Sequence, residues 1–193
     1  MPRPRTFSDE AVVDAAIEQF QGSSFSATST EELCQATGLS RSSLYNAFHS
    51  KSQIYAAALT RYDERMCAER SGCLEHTGTG RELLEELLRD SVQRQFATAD
   101  RRTCLALAAS MELGAEDPEI AAIARHNLQN FTDTITELIE RGQCDGSITS
   151  ELPAADLARM VHAMLSGLQV VGRVADDDRT IQATIDTALQ LLC

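Results

Sequence analysis

The chain has 193 residues, of which 43% are hydrophobic and 24% charged, and its formal net charge is −12. This length suits one compact domain or two small ones, and no run of about 18 apolar residues predicts a transmembrane helix. The negative charge by itself argues against a nucleic-acid partner and predicts weak non-specific DNA binding, because phosphate contacts need basic side chains.

The first predicted helix follows a short basic arm. Residues 1–6 contain two prolines together with Arg3 and Arg5, which are suited to a DNA minor groove or to phosphates. An ordinary flexible terminus is the alternative. The arm is too short and too polar for a signal peptide, so we expect a cytoplasmic protein. Ser8 is a favourable N-cap, and apolar residues recur at helical spacing up to Phe20.

Residues 28–37 predict a short helix that ends at a turn. Thr28 and Glu31 match a capping box, in which each residue accepts a hydrogen bond from the backbone amide of the other. Gly38 follows at the position where a helix commonly ends with a positive φ. Ser40 is then a favourable N-cap for a second short helix.

The second short helix is predicted over residues 41–48. Leu44 and Phe48 are four residues apart and form its buried face, which leaves a polar face outside: Arg41, Ser42, Ser43, Tyr45 and Asn46. Arginine can pair with guanine, asparagine with adenine, and hydroxyl groups with phosphate. Two capped helices around a glycine turn are typical of a helix-turn-helix DNA reader. The same pattern also occurs in helical proteins that never touch DNA.

This segment resembles the TetR family of bacterial transcriptional regulators. The resemblance runs without a gap over about residues 8–57 and rests on Phe20, Phe25, Thr28, Ser29, Gly38, Leu39, Ser40, Leu44, Tyr45, Phe48, Ser50 and Lys51. It implies that residues 40–47 enter the major groove and that Tyr45 and Lys51 contact phosphates. The predicted DNA-binding set is Arg3, Arg5, Thr28, Ser29, Ser40, Arg41, Ser42, Ser43, Tyr45, Asn46, His49 and Lys51. The chain departs from the family at Ser24, where glycine is frequent, and at Cys34, where alanine is usual.

The rest of the chain predicts helices and no strands, because no segment shows sustained alternation of β-branched residues. The expected bounds are about 51–70, 81–97, 103–113, 116–141, 154–174 and 180–192. The predicted fold class is therefore all-α with about nine helices. A three-helix helix-turn-helix domain occupies residues 1–51, and a helical effector-binding and dimerisation domain occupies residues 52–193. This second part resembles the TetR family in layout far more than in residues.

The resemblance implies a homodimer formed by the last two helices of each chain. The helix predicted over 154–174 has a broad apolar stripe, and Gly167 and Gly172 permit close approach. The residues assigned to the dimer interface are Leu157, Val161, Leu165, Leu168, Ile181, Ile185 and Leu192. Packing within one chain is the alternative, and we expect both uses on different faces. A dimer presents two recognition helices to a palindromic double-stranded operator.

The resemblance also implies an effector pocket in the second domain. Candidate lining residues are apolar and stand at predicted inward positions: Tyr62, Met66, Leu88, Phe96, Leu105, Met111, Phe131, Met160 and Met164. Plain core packing is the alternative for each. Because they carry little charge, they predict an uncharged or weakly polar organic effector, with Glu112 or His162 supplying one polar contact. The predicted function is a repressor that such a molecule releases from its operator.

Six cysteines leave a second hypothesis open. Cys67, Cys73 and His76 have the pattern C-x5-C-x2-H, which matches no common zinc spacing. Neither a metal site nor a cofactor is therefore predicted, and intracellular thiols are expected to be reduced. The alternative is a thiol- or metal-responsive regulator on the same scaffold that uses Cys67, Cys73, His76 or Cys104. An enzyme is not predicted, because the sequence has no phosphate-binding loop, nucleophile elbow or HExxH pair.

Overall fold

The computed structural model describes residues 9–193, except for the side chains of Asp9 and Cys73. Within that range the secondary structure consists of nine α-helices without a strand, which confirms the predicted all-α class. They are α1 (Asp9–Gly22), α2 (Thr30–Thr37), α3 (Arg41–Phe48), α4 (Lys51–Leu74), α5 (Gly80–Phe96), α6 (Leu105–Leu113), α7 (Pro118–Asp145), α8 (Ala154–Gly172) and α9 (Arg179–Leu191). Among the described helices, none is long and apolar enough to span a membrane.

Several helices differ in extent from the predictions; α8, for example, ends at Gly172, two residues earlier than expected. α4 continues to Leu74, four residues further than expected, and α6 begins at Leu105, two residues later. α7 continues to Asp145, because the backbone adopts a positive φ of 79° at Gly146, whereas Gly142 stays helical and buried. A glycine marks a permitted helix end, but its backbone conformation decides whether the helix stops there.

Contacts between Cα atoms divide the chain into two compact units. The first unit comprises Met1–Arg65 and Cys104–Asn127, and the second comprises Met66–Thr103 and Leu128–Cys193. α4 and α7 each contribute residues to both units. The boundary predicted between residues 51 and 52 separates a DNA-binding part from an effector-binding part, which is a different division from that into compact units. It stays a prediction.

An aromatic cluster lies in the core of the first unit. Phe20 packs edge-on against Tyr55 with ring centroids 4.6 Å apart, and Phe25 lies 5.0 Å from the same ring. Such edge-on packing contributes roughly 0.5–1.5 kcal/mol beyond area burial. Burial raises the pKa of the Tyr55 phenol, with nearby Glu112 adding to the effect. Tyr55 is therefore a neutral core residue that helps to hold the residues before α2 against α4.

Polar contacts join α4 to α7 and to the residue that precedes α7, inside the first unit. Ser52 Oγ donates to Asp117 Oδ2 at 3.3 Å, and Gln53 Nε2 donates to Glu119 Oε2 at 2.9 Å. The buried Asn127 donates from Nδ2 to the carbonyl of Leu59 at 3.0 Å. Residues 104–127 are thus part of the same compact unit as the three N-terminal helices.

The core of the second unit contains most of the predicted dimer residues. In α5, leucines pack against apolar residues of α7, α8 and α9. Six residues assigned to the dimer interface are at most 4% exposed within the single chain: Leu157, Val161, Leu165, Ile181, Ile185 and Leu192. Their assignment is wrong, because a side chain covered by its own chain has no surface left for a partner. Leu168 is only partly buried against this core.

The predicted effector residues divide into three groups. Leu88 and Leu105 are at most 1% exposed and belong to the cores of their units, whereas Met111 and Met160 are 61% and 47% exposed. The inward position predicted for these two methionines is wrong, because the apolar residues of α6 and α8 extend around to the outer faces of the helices. The remaining five are half-buried and stay predictions: Tyr62 in the first unit, and Met66, Phe96, Phe131 and Met164 in the second.

Candidate nucleic-acid interface

The first helix of the candidate interface begins one residue later than predicted. Ser29 is the N-cap of α2: its hydroxyl accepts from the amide of Glu32 at 3.2 Å, and its amide donates to Glu32 Oε2 at 2.7 Å. These hydrogen bonds hold the pKa of Glu32 below its usual value. Both Thr28–Glu31 and Ser29–Glu32 match the capping pattern in sequence, and the chain uses the second pair.

Thr28 points into the protein instead. Its side chain is 1% exposed and donates from Oγ1 to the carbonyl of Ser24 at 2.9 Å. The predicted DNA contact by Thr28 is therefore wrong, because a buried hydroxyl that is already bonded cannot reach a phosphate.

The recognition helix has the predicted bounds. Gly38 ends α2 with a φ of 70°, and the Ser40 hydroxyl accepts from the amide of Ser43 at 3.1 Å to cap α3. His49 ends α3 with a φ of 63°, and its amide donates to the carbonyl of Tyr45 at 2.9 Å. The predicted contact residues that are exposed to solvent are Ser29, Ser40, Arg41, Ser42, Ser43, Tyr45, Asn46 and His49.

Lys51, the single lysine of the chain, is anchored by backbone oxygens. Its Nζ donates to the carbonyl of Phe25 at 2.9 Å and to that of Thr28 at 3.1 Å. The ammonium also lies 4.3 Å from the centroid of the Phe25 ring, a favourable cation–π position. An ammonium carries three protons, so these two hydrogen bonds leave one donor for a further acceptor.

Beside Lys51 lies a small hollow, the Tyr45 cavity, with a volume of about 10 Å³. It is lined by Thr30, Leu33, Leu44, Tyr45, Ser50, Lys51 and Ile54. The hydroxyl of Tyr45 is 3.2 Å from that of Thr30, a residue that sequence reasoning did not assign to the interface. The cavity has room for about one water molecule or one oxygen atom, and its polar donors come from three separate helices.

Arg41 makes two contacts on the exposed surface. Its Nη1 lies 3.2 Å from Glu31 Oε1, and the two side chains are 66% and 69% exposed. The guanidinium also lies 5.8 Å from the centroid of the Tyr45 ring. Spacing along the chain gave no signal for the ion pair, since the residues are ten apart and lie on different helices.

Several predicted sites are not assembled in the described residues. Arg3 and Arg5 lie outside those residues and stay predictions. Between residues 9 and 193 the described side chains contain no group of three His, Cys, Asp or Glu able to hold a metal ion. Cys67 accepts a hydrogen bond from Arg70 Nη2 at 3.1 Å, His76 lies 3.4 Å from Glu86, and the Cys73 side chain is not described.

His162 forms a half-buried polar site in the second unit. Thr132 donates from Oγ1 to the carbonyl of Leu128 at 3.0 Å, so the 2.7 Å contact between Thr132 and His162 Nδ1 requires Nδ1 to carry the proton. Burial lowers the pKa of His162, and Arg70 lowers it further. The neutral imidazole then offers Nε2 as an acceptor, next to the Phe131 ring at 5.0 Å.

We expect acidification to destabilise the protein through His162. Its pKa in the folded chain lies below the unfolded value of about 6.5, so the unfolded chain takes up a proton first as the pH falls. The free energy of unfolding should therefore decrease below about pH 6.5, with no contribution from His162 above that range. Urea unfolding at several pH values should show a smaller decrease for His162→Gln, whereas His49→Gln, a change at an exposed histidine, should match the wild type. Equal decreases in all three proteins would contradict this assignment.

Two models of known families match the chain. One describes bacterial regulatory proteins of the tetR family and matches residues 12–58. The other describes the C-terminal part of BetI-type transcriptional repressors and matches residues 80–193, more than half of the chain.

Curated relatives and solved structures agree with these matches. The HTH-type transcriptional regulator YezE of Bacillus subtilis is 24% identical over 100% of both chains. The HTH-type transcriptional repressor ComR of Escherichia coli is 25% identical over 98% of this chain and 90% of its own. A cysteine mutant of the regulator CifR, solved in complex with operator DNA, is 26% identical with a TM-score of 0.83 and coverage of 97% and 98%. The reduced form of E. coli NemR, 16% identical with a TM-score of 0.78 and coverage of 95% and 94%, shares the fold. The chain belongs to the TetR family of bacterial transcriptional regulators.

Proposed function

We propose that this regulator is a homodimeric repressor that binds a palindromic operator through α2, α3 and the start of α4, and that a small organic effector releases it. The observation that carries the proposal is the exposed polar face of α3 beside the Tyr45 cavity. Binding to genomic DNA places the protein in the cytoplasm.

The Tyr45 cavity is proposed to hold one oxygen of a DNA phosphate. The hydroxyls of Tyr45 and Thr30 and the remaining proton of Lys51 are its donors. Lys51 is also the first residue of α4, whose N-terminal amides favour an anion. Because the carbonyls of Phe25 and Thr28 already hold the lysine, little side-chain entropy would be lost when it binds a phosphate.

Recognition of the DNA sequence is assigned to the exposed face of α3, chiefly to its N-terminal part. In helix-turn-helix proteins this part of the recognition helix meets the base edges. Arg41 can donate two hydrogen bonds to guanine, and Asn46 can pair with adenine. The hydroxyl oxygens of Ser42 and Ser43 lie 3.0 and 2.9 Å from that of Ser40. These three hydroxyls can both donate to phosphates and accept from bases.

The dimer is proposed to form through the outer face of α8 and α9, opposite the residues assigned from sequence. Large apolar side chains are exposed there: Met160, Val170, Val171, Val174 and Leu191, with exposures of 47%, 45%, 53%, 86% and 71%. Gly167 lies on the same face of α8, and no atom is within 4 Å of where its Cβ would be. An exposed apolar stripe with an open glycine suits close packing against a second chain.

The effector is assigned to the second unit. Met66, Phe96, Phe131 and Met164 are half-buried there, and neutral His162 offers an acceptor at Nε2. These groups suit an uncharged organic molecule that carries a hydroxyl or N–H donor. Such a ligand releases the operator only if it binds more tightly to a conformation with a different separation of the two recognition helices.

A thiol-responsive regulator is a second candidate function, because Arg70 donates to Cys67 Sγ at 3.1 Å. A cationic neighbour is a feature of many reactive cysteines. Cysteine mutants of CifR and a reduced form of NemR are among the similar solved structures. Operator release by diamide that is absent in Cys67→Ser would favour this function. Release by organic compounds in both proteins would favour the effector model.

The proposed function is tested by selecting bound DNA from a random pool at physiological salt, followed by sequencing. We expect a short palindrome whose half-site centres are about 10 base pairs, or a multiple of that, apart. The protein used must be shown to be folded and dimeric. Failure of such protein to enrich any sequence, even after removal of small molecules by unfolding and refolding, would overturn the proposal.

A further inference from the structure

The candidate interface has an unusual charge balance for a surface that meets DNA. Residues 9–58 contain two basic residues, Arg41 and Lys51, and six acidic ones. Both basic groups are already engaged, Arg41 by Glu31 and Lys51 by two backbone carbonyls. The acidic partner of Arg41 lies in the first turn of α2, on the surface that carries the candidate contacts.

We propose that Glu31 is a specificity-determining positioning residue, which stays paired with Arg41, keeps it from DNA phosphates and leaves its other N–H donors for a guanine base. This inference rests on the proposed function, because it concerns how that same interface distinguishes an operator from other DNA. Glu31 has no part in the proposed base or phosphate contacts themselves.

Arg41 has three possible acceptors: the Glu31 carboxylate, a DNA phosphate and a guanine base. A phosphate offers Arg41 about the same charge interaction as the Glu31 carboxylate. If Arg41 moved to the phosphate, Glu31 would remain as an unpaired negative charge beside a polyanion. A guanine offers O6 and N7 in a geometry that accepts two hydrogen bonds from one guanidinium, and it carries no net charge. The ion pair uses Nη1 of Arg41, and a guanidinium has five N–H donors, so Arg41 can bond guanine without leaving Glu31. A phosphate gains little from a guanidinium whose charge Glu31 already balances.

Both side chains of the ion pair are exposed, so the pair favours one position of the Arg41 side chain without fixing it. Exposed ion pairs are weak and screened by salt. The contact of Arg41 with the Tyr45 ring at 5.8 Å keeps the guanidinium on the outer surface of α3 while it is paired. The arginine therefore stays within the interface and can donate to a base through the N–H groups that Glu31 does not use.

Glu31 is also dispensable for the helix that carries it. The capping box of α2 uses Glu32, whose carboxylate accepts from the Ser29 amide at 2.7 Å. Glu31 is exposed, and among the described side chains it pairs with Arg41. Glutamine has the same shape and a similar helix propensity, so Glu31→Gln removes the charge and leaves the fold intact.

The test measures binding of wild type and Glu31→Gln to the selected operator and to a scrambled duplex at several salt concentrations. We expect Glu31→Gln to bind the scrambled duplex about 10-fold more tightly at low salt, with a salt slope steeper by about 0.9 for each subunit engaged. Its affinity for the operator should rise much less, so the ratio of the two affinities should fall. The matched control is Glu116→Gln, an exposed residue of the first unit that forms no ion pair among the described side chains. It should leave both affinities unchanged.

A second variant shows whether the Glu31 carboxylate acts through Arg41 or repels DNA directly. In an Arg41→Ala background, Glu31→Gln should have no further effect on either affinity or on the salt slope. Equal tightening in both backgrounds would overturn the inference, and so would an unchanged affinity ratio in Glu31→Gln. If the wild type selects no operator, the proposed function fails. If it selects one and the ratio stays constant, this inference alone fails.

Discussion

Tyr45→Phe is expected to weaken binding to every DNA sequence by about 100-fold or more, without changing sequence preference. The phenol hydroxyl is proposed to donate to a phosphate from its position 3.2 Å from Thr30 Oγ1. A hydrogen bond to a charged group contributes roughly 1.5–3 kcal/mol, and a dimer on its operator would lose one in each subunit. The measurement is the dissociation constant for the operator and for a scrambled duplex.

Two comparisons make this result specific. Tyr62→Phe removes a phenol hydroxyl from α4 outside the proposed interface and should leave DNA binding unchanged. Because tyrosine carries no charge, Tyr45→Phe should preserve the salt slope, whereas Lys51→Gln should reduce it by about 0.9 per subunit. Loss of affinity for the operator alone would instead identify Tyr45 as a base contact.

Gly167→Arg is expected to abolish the dimer and, with it, high-affinity binding to the palindrome. The new side chain would project into the outer face of α8, where no atom of the same chain lies within 4 Å of the Cβ position. In a symmetric interface it would bury two unpaired charges close together, and we expect the dimer dissociation constant to rise by at least about 1,000-fold. Light scattering after size-exclusion chromatography measures the oligomeric state.

Gly72 provides a matched control for this substitution. It is an exposed glycine in α4, and its Cβ position is also free of atoms within 4 Å. Gly72→Arg should stay dimeric and bind the operator as the wild type does. Since arginine has the higher helix propensity, neither variant should lose stability as a monomer. A dimeric Gly167→Arg would contradict the proposed interface, and a monomeric Gly72→Arg would indicate a contact through α4.

Local signals in the sequence were sufficient for the recognition helix. Gly38, Ser40 and the apolar pair Leu44 and Phe48 predicted its bounds, because capping and helical periodicity depend on residues within one or two turns. The capping box before it could not be placed in the same way. Two overlapping pairs match its pattern. The chain uses the second pair because Thr28 is buried and its hydroxyl donates to the carbonyl of Ser24.

Which side of a helix faces its own chain depends on tertiary packing. α8 carries apolar residues on more than one face, so periodicity alone could not separate the core residue Leu165 from the exposed Val171. Met111 and Met160 were predicted to face inward for the same reason, since apolar residues on several faces of a helix do not show which face is buried.

Neighbours along the chain were enough to predict the nine helices, the cap of α3 and its polar residues, but not which of two overlapping capping boxes begins α2. The packing of α2 against α3 decided that Glu31 meets Arg41, and the fold before α2 decided that two backbone carbonyls hold Lys51. Such contacts join residues distant in sequence, and no local pattern encodes the distance between their side chains.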